Sequence, residues 1–276
     1  MSEAFSMRNY LRDVPLPFCG GCGAVTVMGE FLRAVYELGY ANLKKFVFCS
    51  GIGCSAWIPS PHFMSDSVHT LHGRSIPVAT GIKLFKPEVN IVVFGGDGDI
   101  VGIGLGHFIH AARRNFDVLV VMVNNMIYGM TGGQVAPTSP FKSKTTTTPY
   151  GSFEQPLDAV KLALAANAAY SARWTTAQPT DLKESIKKAL NMKGFRFIEV
   201  ISQCPTAFGR RAGFKDGAEM LRWFKANSIL FQEAEKLTEN ELTGKIVIGE
   251  FQQKQRPTLV ENVYRLIAEA KEQVEN

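Results

Sequence analysis

Two stretches, NIVVFGGDGDI at residues 90–100 and DVLVVMVNN at residues 117–125, decide how this chain folds. Each holds a short, nearly continuous apolar run of the length and β-branched content of a buried strand. The first run ends in glycines, and HFIHAARR (107–114), patterned for a helix, precedes the second. Strand, tight turn, helix, strand is the signature of a parallel α/β sheet. In such sheets the loops at the carboxyl ends of the strands carry the ligands. Asp97 leaves the first strand end and Asn125 the second, so their side chains are expected to meet above adjacent strands.

That meeting suggests a chemistry. A divalent cation can bridge the oxygens of a diphosphate to protein oxygens, and Mg²⁺ favours small oxygen ligands in near-octahedral array. Asp97 offers a carboxylate, Asn125 an amide oxygen, and the carbonyl of Ile127 can complete the protein's share. Gly95, Gly96 and Gly98 allow the backbone to approach an anion closely, with Asp99 beside them. A helix beginning near Ile100 adds backbone donors. A capped helix at GDGD and a polar strand end at NN are the plainer alternative, and either word alone supports it. The two together, at this interval and each after an apolar strand, favour metal–diphosphate binding. The order of residues is not that of a dinucleotide fingerprint.

Outward from this centre, residues 24–40 carry Val27, Phe31, Val35 and Leu38 at helical spacing. KFVFC (45–49) predicts a strand, and SGIGCS (50–55) a glycine-rich turn. Residues 1–18, with Pro15 and Pro17, predict an irregular lead-in. Residues 126–151 predict a long loop, a length uncommon without a function. Helices are expected at 157–170 and 180–192, with strands around Trp174 and at 195–201. The chain divides, on this reading, into a cofactor-binding domain (1–220) and a C-terminal extension (221–276) of mixed helix and loop. That extension ends in an amphipathic helix at 259–274 and is expected to pack on the domain or on a partner subunit.

Composition narrows the field. The 276 residues are 46% hydrophobic and 20% charged, a globular balance. The net charge of +5 is scattered, without the basic stripe or motif of a nucleic-acid binder. No apolar run reaches the length of a membrane span, and the first residues lack a signal-peptide core. A cytoplasmic protein without membrane insertion is expected. Its five cysteines are then poor candidates for structural disulfides. Cys19 and Cys22 stand as CGGC, a spacing that suits one metal or cluster, a redox dithiol or half a zinc site. Cys49 and Cys54 both lie near enough to join them, and Cys204 follows a late strand.

The words SGIGCS, TLHGR, ATGIK, FGGDGD, HFIHAARRN and NNMIYGMTGGQ together resemble the β subunits of 2-oxoacid:ferredoxin oxidoreductases, from about Phe18 to Pro205. The resemblance implies a thiamine-diphosphate-binding fold with a mostly parallel central sheet flanked by helices. It implies thiamine diphosphate, Mg²⁺ and a [4Fe–4S] cluster as cofactors. Among the cysteines it selects Cys19, Cys22, Cys54 and Cys204 as cluster ligands, leaving Cys49 as a buried strand residue. It assigns Ser50, Gly51, Ile52, Gly53, Gly96, Asp97, Gly98, Asp99, Asn125, Ile127, Tyr128, Gly129, Met130 and Thr131 to the cofactor, with Asp97, Asn125 and Ile127 on the metal. It places His72, Arg74, Trp57 and Met130 at the reacting end of the pocket.

The implied reaction converts a 2-oxoacid, coenzyme A and oxidised ferredoxin to acyl-coenzyme A, carbon dioxide and reduced ferredoxin. The chain departs from the family where FCGGCG (18–23) replaces a more usual WCPGCG, and where Trp57 replaces a lysine or polar residue. Trp57 offers an apolar wall and one donor, which leaves pyruvate, branched-chain and aryl 2-oxoacids open beside 2-oxoglutarate, the branch that YGMTGGQ favours. The glutamate that activates thiamine is not found here. The resemblance places it on a larger α subunit, with small additional subunits possible. Two rivals remain: a non-oxidative thiamine-dependent decarboxylase or synthase, which needs no cluster, and a zinc-binding assembly subunit.

Overall fold

The computed structural model describes residues 4–275. Eight strands form one sheet: β1 (Phe46–Ser50), β2 (Asp66–His69), β3 (Asn90–Gly96), β4 (Val118–Asn124), β5 (Tyr170–Thr175), β6 (Phe195–Ile201), β7 (Ser228–Leu230) and β8 (Ile246–Gln253). Their order is β2-β1-β3-β4-β6-β5-β8-β7. Every pairing is parallel except β5 with β8. The helices are α1 (Ala24–Glu37), α2 (Ser75–Phe85), α3 (Leu105–Arg114), α4 (Ala159–Ala165), α5 (Pro179–Asn191), α6 (Gly217–Asn227), the short α7 (Phe231–Ala234) and α8 (Glu239–Leu242), and α9 (Leu259–Glu275).

The apolar runs are continuous because helices cover both faces of the central strands. Alternate residues part to opposite sides. Phe46 and Phe48 of β1, Val92 and Phe94 of β3, and Leu119 and Val121 of β4 join α1 and α5 in one core. Cys49, Ile91, Val93, Val118 and Val120 join α2, α3 and α4 in the other. Phe31 of α1 centres the first core, edge-on to Phe46, Phe48 and Phe94 and stacked on Phe63. Cys49 is fully buried in β1, and burial pushes its thiol up to about 12.

Three local readings change. The segment 66–85 holds an edge strand and a helix where only pocket words were recognised. The helix after GDGD starts earlier than Ile100, as a widened π-helical turn at Gly98–Ile103 that runs into α3. Residues beyond 220 are not only helix and loop, since β8 joins the central sheet beside β5. No described helix is long and apolar enough to cross a membrane.

Candidate active site

The carboxyl ends of β1, β3 and β4 surround a recess of about 140 Å³. Gly96, Asp97, Gly98 and Asp99 line one wall, and Asn125, Ile127, Tyr128, Gly129, Met130 and Thr131 the other. Ile52, Gly53, Cys54 and His72 close it.

The two asparagines divide their roles. Asn124 is buried, its amide donating to Glu199 (2.7 Å) while its carbonyl accepts from Met126 N (3.0 Å). Asn125 faces the recess, its oxygen receiving a 3.3 Å bond from Ile127 N. Asp97 is buried with a short hydrogen bond from the Thr138 hydroxyl. Burial pushes its carboxyl up to about 7, against the lowering pull of that hydroxyl and of backbone N–H groups. A cation beside a carboxylate so far out of water would favour its ionised form. Asp97, Asn125 and Ile127 all line this recess, and carboxylate, amide and carbonyl oxygens are the donor types that Mg²⁺ favours.

Asp99 serves differently. Its Oδ1 accepts from His72 Nδ1 (2.8 Å), Gly73 N (2.7 Å) and Ile52 N (3.2 Å), while Oδ2 is buried without a partner. One carboxylate thus ties the loop after β1 to the loop before α2. Gly51 must be glycine for this, because a Cβ there would lie 2.1 Å from Asp99 Oδ1. Gly98 is likewise forced: the Tyr128 ring packs where its Cβ would be, at 2.0 Å.

A second recess, about 80 Å³, adjoins the first. Cys19, Cys22, Cys54 and Cys204 line it with Phe18, Trp57, Asn125 and Met130. The CGGC loop closes on itself through Cys22 N to Cys19 O (3.0 Å), with Gly21 at φ 78°. Gly23 N then donates to Gln203 O (3.0 Å), pinning that loop beside Cys204. Burial, with the other three thiols nearby, pushes Cys22 up to about 11, and burial raises Cys54 as well. Among the described residues no three Cys, His, Asp or Glu side chains close to the spacing of a single-ion site. The thiols ring a space instead. Cys54, Asn125 and Met130 line both recesses and form the wall between them.

Not every expected residue reaches a recess. Ser50 is buried at the end of β1 and Gly51 lies against Asp99, and neither lines the recess. Arg74 points away, its guanidinium 2.9 Å from His107 Nε2 on α3. Trp57 stands beside the thiols and edge-on to His69. The sequence reading passed over Thr138 and Glu199, which act through Asp97 and Asn124 rather than from a recognisable word. A cavity of about 550 Å³ at the opposite strand ends is larger. There Lys83 donates to Pro87 O and Val89 O and pairs with Asp117, which also holds Arg196.

The family model described as "Thiamine pyrophosphate enzyme, C-terminal TPP binding domain" matches residues 51–200. The chain is 51% identical over 267 residues to the 2-oxoglutarate synthase subunit KorB of Methanocaldococcus jannaschii, covering 95% of this chain and 97% of that one. It is 43% identical over 192 residues to the 2-oxoacid:ferredoxin oxidoreductase subunit beta of Saccharolobus solfataricus, covering 68% of this chain and 62% of that one. A solved 2-oxoglutarate:ferredoxin oxidoreductase from Magnetococcus marinus, with 2-oxoglutarate, coenzyme A and succinyl-CoA bound, superposes with a TM-score of 0.86 at 34% identity. That superposition covers 98% of this chain and 92% of the other.

Proposed function

The chain belongs to the family of 2-oxoacid:ferredoxin oxidoreductase β subunits, and on that premise we propose that it forms the cofactor-holding half of a cytoplasmic enzyme oxidising 2-oxoglutarate. The products are succinyl-coenzyme A and carbon dioxide, with electrons leaving to ferredoxin. The observation that carries this reading is the shared wall. A metal–diphosphate pocket and a four-thiol recess meet at Cys54, Asn125 and Met130.

Asp97, Asn125 and the Ile127 carbonyl hold Mg²⁺ against the diphosphate of thiamine diphosphate. Gly96, Gly98 and the π-helical turn after them bring backbone close to its anionic oxygens. Thiamine diphosphate supplies the carbanion chemistry of decarboxylation. Cys19, Cys22, Cys54 and Cys204 hold a [4Fe–4S] cluster, which supplies one-electron acceptance. A space ringed by four thiols suits a cluster better than one ion, which would draw them together. Thiols raised by burial carry protons at neutral pH, so loading the cluster releases them. Met130 stands where the two recesses join, and Trp57 lines the thiol recess beside it.

The chain holds half of the site. Among the described residues no Lys or Arg lines either recess, so the cation for the distal carboxylate of 2-oxoglutarate comes from an α subunit, as does the thiamine-activating glutamate. Exposed Ile52, Leu71 and Ile103 beside the Asp99-tied loops give that partner an apolar seat. The relatives named for 2-oxoglutarate favour that substrate over pyruvate, branched-chain or aryl 2-oxoacids.

The test is anaerobic co-purification with the native partner, followed by iron, sulfide and thiamine analysis and a panel of 2-oxoacids. Coenzyme A-dependent reduction of a low-potential acceptor, fastest with 2-oxoglutarate, is expected. Turnover without iron or an acceptor would favour a non-oxidative thiamine enzyme, and no turnover on any 2-oxoacid would end the reading. Trp57→Lys separately tests whether Trp57 selects between acidic and apolar substrates.

A further inference from the structure

The long segment between β4 and α4 sends one dipeptide, Thr138-Ser139, beneath the recess. Both residues are buried. Thr138 Oγ1 donates to Asp97 Oδ2 and lies 3.0 Å from Asn124 Oδ1. Ser139 Oγ donates to the Met126 carbonyl at 2.7 Å and accepts from Ala136 N at 2.9 Å. Met126 stands at φ 62°, a left-handed conformation that a non-glycine residue keeps only when its surroundings impose it. Here Asn124 holds its N–H and Ser139 its carbonyl. The dipeptide therefore contacts the GDG strand end through Asp97 and the NN strand end through Asn124 and Met126.

Resting on the reading above, we propose that Thr138 is a positioning residue for the divalent cation shared by Asp97 and Asn125. Its hydroxyl fixes the rotation of the Asp97 carboxylate by engaging one oxygen, which leaves the other for the metal. Ser139 holds the turn that aims Asn125 at the same point. The role is the one that hydrogen-bond partners of ligating carboxylates commonly fill, and losing such a partner typically costs about 10- to 100-fold in metal affinity.

The test uses the co-purified complex and Mn²⁺, read by electron paramagnetic resonance in the presence of thiamine diphosphate, together with the Mg²⁺ dependence of turnover. Thr138→Val keeps the shape and removes the hydroxyl. Its Mn²⁺ dissociation constant should rise by about 10- to 100-fold, while saturating Mg²⁺ restores most of kcat. Thr138→Ser should restore most of the affinity. A T138V complex that binds Mn²⁺ like wild type overturns the proposal, and so does a T138S complex as weak as T138V. If T138V does not assemble, Thr138→Ala against T138S carries the same comparison. If the wild-type complex itself takes up no Mn²⁺ with thiamine diphosphate, the functional reading fails and this one with it. If wild type binds and T138V matches it, the positioning role alone fails.

Discussion

Replacing Asp99 with alanine removes the acceptor that three donors share. Gly73 N is buried, at 2.7 Å from the carboxylate, while Ile52 N and His72 Nδ1 lie in partly buried bonds. An unsatisfied buried donor costs about 1–3 kcal/mol. Water reaches the two outer donors more easily, because Ile52 is 42% exposed, so Gly73 N dominates the loss. The sum is roughly 2–5 kcal/mol, a fall of about 5–15 °C in thermal midpoint for a chain of this size. Asp99→Asn should lose less, because its amide oxygen still accepts from the two backbone N–H groups. Its new NH₂ faces the space where Asp99 Oδ2 has no partner. The measurement is thermal unfolding of the metal-free protein, paired with thiamine diphosphate titration. Both variants should weaken cofactor binding, alanine the more, since the loops carrying Ile52 and His72 lose their common tie. A D99A protein that melts within about 1 °C of wild type would refute the argument.

Arg173→Met should destabilise by about 3–5 kcal/mol in urea, because buried Glu199 would keep only Asn124 as partner; R173M/E199Q should recover part of that, and a neutral single variant contradicts the expectation. Gly98→Ala should cost about 1–3 kcal/mol by displacing the Tyr128 ring, with little cost in a Tyr128→Ala background; additive costs in the double-mutant cycle would show that the ring is not what forbids a Cβ. In the metal-free protein, Asp97 has a folded value raised to about 7, so the folded chain holds a proton that the unfolded chain has released. The stability contributed by that proton is complete below the ordinary carboxylate value and is lost as pH rises through about 7. The thermal midpoint should therefore fall between about pH 5 and about pH 7.5, and Asp97→Asn should flatten this slope; an equal slope in D97N assigns it elsewhere.

The strands and helices that carry the site were legible because each has a local cause. β3 and β4 are continuous apolar runs, β6 is apolar apart from Arg196 and Glu199, and α1 repeats its apolar residues at helical spacing. β2 was not legible: DSVH is short, exposed at the sheet edge and held by pairing with β1 rather than by its own pattern. β8 hid similarly, since IVIGEFQQ carries a glycine at φ 128° and pairs antiparallel with a distant strand. At the site, residues that line the recesses announced themselves through glycines, cysteines and paired polar groups. Residues that act on other residues did not. Asp99 reads as a cofactor contact in the word GDGD, and only the structure shows its Oδ1 taken by three donors from neighbouring loops. Arg74 looks like an anion contact in TLHGR, yet the turn at Gly73, φ 70°, carries it to His107. Thr138 sits in a loop of ordinary composition, 41 residues from Asp97. Its meaning lies in a tertiary contact, so no spacing rule reaches it. A carboxylate can ligate a metal reproducibly only if its own rotation is fixed, and the group that fixes it can come from anywhere the chain returns.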